Sequence, residues 1–304
     1  MKESEMIKMY LIDLYVEYLK ENGKDSKTIK TYLHSVMDFK KWSKQENKLI
    51  KAKPIDIRNY ITYLRHERRI APSTINKYIA SLKSFYAYLT EQELIKNNPM
   101  EQIKRISYAK VTTNHNKWLS PLEQDRFISY AELEPNEWLR IRNLAVIDLM
   151  LFAGLRVQEV ADLQLDDVSK AGTDLNILIR DGKHGKFAEV TLVSKHAKHL
   201  KHWLRIRNEC TKTFHENSTS LFVSERSSKL TARAIQKFIS KYGKLAGVEN
   251  ITPHRLRHTF CKNLARQNTP IEIIRRLARH EKIETTAIYI DPSAKELVDA
   301  LRRM

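Results

Sequence analysis

"LNILIRDGKHGKFAEVTLVS", residues 175–194, decides the fold class. Leu175, Ile177 and Ile179 fall on alternate positions of its first half, Val190 and Leu192 on alternate positions of its second, and the Gly182–Gly185 turn lies between. Period two on both sides of a glycine turn is the pattern of a β-hairpin. Outward from it, the apolar residues recur at helical intervals. "LRIRNLAVIDLMLFAGLR" (139–156) is the most apolar helix in the chain, preceded by "SPLEQDRFISYAE" (120–132). Downstream come "TARAIQKFISKYGKLAG" (231–247), capped by Thr231, and "TPIEIIRRLARH" (269–280), opened by Thr269 and Pro270. The expected fold is mainly α with a small antiparallel β-sheet.

The first hundred residues read as helices alone. Ile7, Tyr10, Leu11, Leu14, Tyr15 and Tyr18 line one face of a first helix that stops at Gly23. A second is capped by Ser26 and carries Ile29, Tyr32, Leu33, Val36 and Phe39; "DIRNYITYLRHERR" (56–69) is a third. A fourth starts at Pro72 and Ser73 and bends or breaks near Thr90. Periodicity then lapses and Asn, Thr and Lys gather, which marks a linker. The division expected is a helical domain over 1–105, a linker over 106–119 and a second domain over 120–304.

Lys and Arg outnumber Asp and Glu by 54 to 36 in 304 residues, a formal charge of +18. Both parts share the excess: residues 1–110 carry 22 basic and 13 acidic side chains, residues 111–304 carry 32 and 23. A chain basic throughout points to a polyanion, nucleic acid above all. A basic linker between two basic domains suits a clamp around a duplex. Cys210 and Cys261 are too few for a disulfide framework or a four-cysteine zinc site. The N-terminus lacks the apolar core of a signal peptide, and no apolar run reaches membrane-spanning length, so a cytoplasmic protein is expected. Seven glycines and no GxGxxG or GxxxxGK[ST] argue against a nucleotide loop, and no cofactor is expected.

Residues 252–260, "TPHRLRHTF", crowd two histidines and two arginines into a helix start, with Thr252 suited to the cap and Pro253 to the first helical position. Cations there oppose the helix dipole, so the cluster awaits an anion. His254 and His258 also have the i,i+4 spacing of two zinc ligands on a helix. Arg255 stands where a metalloprotease helix has glutamate, and the flanking cations repel a metal ion, so no metal is expected.

Three further segments accompany this one. "AGLRVQEVADL" (153–163) puts Arg156 after a turn glycine with Glu159 three residues on; "RDGKHGKFAEV" (180–190) puts Lys183, His184 and Lys186 at the hairpin tip; "LARHEKIETTAIYIDP" (277–292) carries His280 and, nine residues later, Tyr289. Each alone is ordinary, since an i,i+3 ion pair or a tyrosine among thirteen needs no function. In this order and spacing they resemble the signature of the tyrosine site-specific recombinases, the phage integrase family and its Xer-like members. That pattern is arginine in GLRxxE, lysine on a hairpin, HxxR, a histidine or tryptophan, and a tyrosine nucleophile. By position it implies Arg156, Lys183, His254, Arg257, His280 and Tyr289 as the catalytic set, with Glu159 and His258 in support. One position departs: the family usually has glycine before the second histidine, and this chain has Arg279.

The resemblance extends over the whole chain, as a core-binding (SAM-like) domain followed by an α/β catalytic domain. It implies strand exchange through a 3′-phosphotyrosine and a Holliday junction, on double-stranded DNA carrying specific sites, by a homotetramer. Two arginines can hold the charge on the non-bridging oxygens of a phosphate in transfer with rigid forks of donors. Tyr289, with an ordinary pKa near about 10, needs a proton acceptor, for which His254 is the candidate. Lys183 would protonate the leaving 5′-oxygen and His280 would donate to the phosphate. The tail after Tyr289 is amphipathic through Leu297, Val298 and Leu301 and is expected to dock on a neighbouring subunit. A type IB-like topoisomerase or a silent DNA-binding protein on the same fold are the alternatives.

Overall fold

Proline and capping side chains open most of the long helices. The computed structural model describes residues 2–43, 48–107, 117–181, 186–289 and 302. The chain divides into two units, Met1–Thr112 and Thr113–Met304.

The first unit contains α1 (Lys2–Glu21), α2 (Ser26–Ser43), α3 (Lys48–Lys51), α4 (Pro54–His66) and α5 (Pro72–Glu91). Asp25, rather than Ser26, caps α2, its carboxylate accepting from the Thr28 amide. Pro54 and Pro72 stand at the first position of their helices, where no N–H is required. α5 ends at Glu91, next to Thr90 where the sequence places a bend or break, and Glu93 follows at φ +55°. Tyr15, Leu19, Val36, Phe39, Ile57, Leu64, Leu82, Phe85 and Leu89 meet in a closed core. Each such side chain contributes about 1.5–3 kcal/mol on burial. Asp38 ties α2 to α4 by accepting from the Tyr60 hydroxyl, and pairs with Arg68 at 2.7 Å. Residues 108–116, within the expected linker, lie outside the described residues. On one side of them Ile106 exchanges two hydrogen bonds with Asn76; on the other the Leu119 amide donates to Thr259 Oγ1.

The second unit is built on α7 (Glu137–Phe152), which follows α6 (Pro121–Glu132) and is buried along most of its length. After α8 (Val157–Asp162) come β1 (Val168–Ala171), β2 (Asp174–Asp181) and β3 (Lys186–Leu192), an antiparallel sheet in that order. Ile177 pairs with Val190 and Leu175 with Leu192, and the alternating residues face the core as their period requires. β1 gives no sequence signal: it is four residues long and its middle is exposed. α9 (Lys198–Asn208), α10 (Thr213–Glu216), α11 (Ala232–Leu245), α12 (Pro253–Arg266), α13 (Ile271–Ala278) and α14 (Glu284–Ala287) complete the unit. Thr231 caps α11; at α13 the cap position belongs to Pro270. Thr252 caps α12 through the Arg255 amide, with Pro253 next. No helix among the described residues is long and apolar enough to cross a membrane.

Candidate functional site

Gly154 makes the site possible. It sits at φ +62°, and a Cβ there would lie 2.5 Å from the Phe260 ring of α12. Only glycine lets the chain leaving α7 turn this close to α12. Two residues later Arg156 forms the N-cap of α8, its amide donating to Glu159 (2.7 Å) and its guanidinium pairing with the other Glu159 oxygen (2.6 Å). Arg156 keeps about half of its side chain exposed (49%).

Arg257, on α12, is buried. Its guanidinium donates to the carbonyl oxygens of Gly154 and Ala278, the free acceptors where α7 and α13 end. Burial, then Arg156 and Arg279, push its pKa down to about 10, still cationic at neutral pH. His254, one turn earlier, is exposed, and burial of part of its ring with Arg257 and Arg156 beside it lowers its pKa. His280 is buried and hydrogen-bonded to Thr286 Oγ1 at 2.9 Å. Burial and the same arginines push it down to about 4, so it stands neutral. Arg156, His254, Arg257 and His280 thus share one electropositive locus. The structure brings together four of the six positions implied as catalytic.

Tyr289 packs beside that locus, buried at 1% exposure. Its ring lies 6.1 Å from the His280 ring and 6.4 Å from Trp118. Its hydroxyl is hydrogen-bonded to His258 Nδ1, not to His254. Burial first, then His254 and His280, hold His258 down at about 3, so the imidazole beside the phenol is neutral. Burial and Cys261 raise the phenol above its usual range, with Arg257 working against them. Tyr289 therefore rests as a protonated phenol. The sixth position, Lys183, lies with His184 outside the described residues, as do the Gly182–Gly185 turn and residues Leu297, Val298 and Leu301 of the tail. Lys186 opens β3 in register with Asp181.

Several neighbours of the site carry no motif of their own. Lys262, buried over the Trp118 ring at 5.0 Å, donates to the Tyr289 carbonyl. Arg255, part of the crowded helix start, turns inward to Glu123, Trp118 and Glu249, which removes one cation from the anion cluster. Arg279 is more consequential. It stands at φ +53° after α13, a left-handed conformation that costs a side-chain-bearing residue about 1–2 kcal/mol. Its guanidinium reaches Glu159 (2.6 Å), and its Nε–H, buried, has no acceptor. Glu159, despite burial, is held below the usual carboxylate range by Arg279 and then Arg156. The sequence signal was there, an arginine at a helix C-terminus where glycine suits the backbone. What could not be read was the direction of its side chain. Among the described residues no group of three His, Cys, Asp or Glu is placed to hold a metal.

Comparison with known proteins bears on the whole chain. Residues 117–296 match the model of the phage integrase family, and residues 11–96 match its N-terminal SAM-like domain. The TnP I resolvase of Bacillus thuringiensis is 30% identical over 93% of this chain and 95% of its own. The tyrosine recombinase XerC of Leptospira interrogans (serovar Lai) is 28% identical over 95% of this chain and 91% of its own. Among solved structures, the XerH site-specific recombinase bound to palindromic difH substrate superposes with a TM-score of 0.70, at 22% identity over 90% of this chain and 77% of that one.

Proposed function

The chain belongs to the phage integrase family and is a tyrosine recombinase of site-specific recombination, and from that premise we propose how its residues divide the work. Tyr289 attacks a phosphodiester of duplex DNA, forming a 3′-phosphotyrosine and releasing a 5′-hydroxyl. Arg156 and Arg257 hold the non-bridging oxygens, and the low-dielectric setting of Arg257 strengthens its hold. His254, exposed and beside both arginines, takes the phenolic proton once Tyr289 has left His258. His280, neutral at working pH, donates an N–H to the phosphate. Lys183 delivers a proton to the 5′-oxygen. The covalent bond conserves the energy of the phosphodiester, so rejoining needs no other energy source.

Residues 1–105 and 120–304 act as core-binding and catalytic domains joined by 106–119, and close on the duplex through their shared basic charge. Four subunits pair two sites and exchange strands through a Holliday junction. A solved relative bound to its difH substrate supports the DNA partner. The observation that carries the reading is the convergence of Arg156, Arg257, His254 and His280 beside a buried, protonated Tyr289. Tyr289→Phe tests it on nicked duplex bearing the protein's own site. The parent should trap covalently at its tyrosine and the variant should bind equally but give no adduct. An adduct from the variant would mean another nucleophile.

A further inference from the structure

Arg279 touches the Arg156–Glu159 pair twice. Its carbonyl accepts from Arg156 Nη2 at 3.2 Å, and its own Nη2 binds Glu159 Oε2 at 2.6 Å, with the Gly154 carbonyl at 3.3 Å. The carboxylate of Glu159 is thereby divided, one oxygen to each guanidinium, with the Arg156 amide on the oxygen that Arg279 holds. Had residue 279 no side chain, the whole negative charge of Glu159 would fall on Arg156, the more exposed of the two arginines assigned to the phosphate. Backbone demands do not explain the residue. The position is left-handed, which glycine meets without strain, and the backbone amides of Arg279 and His280 cap α13, the Arg279 side chain adding one long contact of 3.3 Å to the Leu277 carbonyl. Nor does that local contact satisfy the guanidinium, which is drawn inward with its Nε–H left without an acceptor.

Resting on the functional reading above, we propose that Arg279 is a positioning residue for phosphate recognition: it offsets the charge of Glu159, so that Glu159 can orient Arg156 without cancelling it. The carboxylate then works as a hinge pin between two cations. Removing Arg279 should hurt phosphate handling while relieving the backbone, the opposite pairing to that of a structural residue.

Arg279→Gly supplies the test. Its melting temperature should equal or exceed the parent's, because a strained conformation becomes an easy one. Single-turnover cleavage of nicked duplex should slow by roughly tenfold to a hundredfold, the range seen when a group orienting a ligand-binding side chain is lost. Glu159→Gln added to Arg279→Gly keeps the shape of the pair, removes the unbalanced charge and should recover most of the rate. A separate arm needs no chemistry. In a Tyr289→Phe background, Arg279→Gly should weaken affinity for uncleaved duplex severalfold, and the added Glu159→Gln should restore it. Failure of the parent to form an adduct would therefore sink the Tyr289 reading and leave this arm to judge Arg279. Undiminished cleavage and affinity in Arg279→Gly would overturn the proposal. So would a loss that persists unchanged in the double variant.

Discussion

Around Arg257 the groups that matter are charged and their partners are helix-end carbonyls or the carboxylate of Glu159. Around Tyr289 they are mostly neutral, a phenol, two imidazoles held far below their usual pKa, a thiol and a threonine, with Lys262 on the tyrosine carbonyl the exception. The two halves are adjacent, and the first reinforces what burial does to the second. Burial first and then the arginines suppress protonation of His280, while burial first and then His254 and His280 suppress that of His258, the ring hydrogen-bonded to the tyrosine hydroxyl. The arginine half is assembled before any anion arrives. The tyrosine hydroxyl rests on His258, so in the proposed mechanism attack on a phosphate has to begin by breaking that bond.

The largest effect should come from the arginine half. Arg257→Ala is expected to lower covalent trapping on nicked duplex by about 10²–10³-fold, the range for loss of one preorganised donor to developing charge. Arg257→Lys should recover little, because a point charge cannot bridge the Gly154 and Ala278 carbonyls and a phosphate together. A lysine variant with near-parental trapping would show that charge alone suffices there.

Next in size is the joint that brings α8 to α12. Gly154→Ala meets both a left-handed backbone and the Phe260 ring, and should destabilise the catalytic unit by about 2–4 kcal/mol in urea titrations. Pairing it with Phe260→Leu should return the steric part only. Full recovery would mean that backbone conformation contributes nothing.

The smallest effect sharpens the contrast by pH. An imidazole held below about 6.5 when folded binds a proton on unfolding at any pH between its two values. Its stabilisation is complete above about 6.5 and drains away as pH falls toward about 4 for His280 and about 3 for His258. Between pH 7.5 and pH 5 the parent should lose about 1 kcal/mol for each of them once partial solvent exposure is discounted. His280→Asn should lose correspondingly less over the same interval. Equal losses in the two proteins would mean that burial and the neighbouring arginines do not hold His280 neutral.

Much of this molecule follows from short-range rules. Alternation at Leu175, Ile177, Ile179, Val190 and Leu192 specifies the hairpin, since one residue of slip would turn every one of them to solvent. Thr252 and Pro253 start α12 by local hydrogen bonding and a fixed φ, and the spacing of His254 and Arg257 then places them one turn apart. Ile29, Val36 and Phe39 announce the first unit's core by period alone. β1 and the short helix α3 escape such rules because neither is long enough to show a period.

What the amino-acid sequence determined by itself is thus the longer elements, the family, and which residues stand at which helical faces. Tertiary structure alone decided their partners. Arg257 finds the Gly154 carbonyl 103 positions away, Arg156 finds that of Arg279 at 123, and Tyr289 gives its hydroxyl to His258 rather than to His254. The reason is the same in each case. Helix ends leave carbonyls unsatisfied, and which cation reaches them depends on how three helix ends converge, a property no local pattern carries.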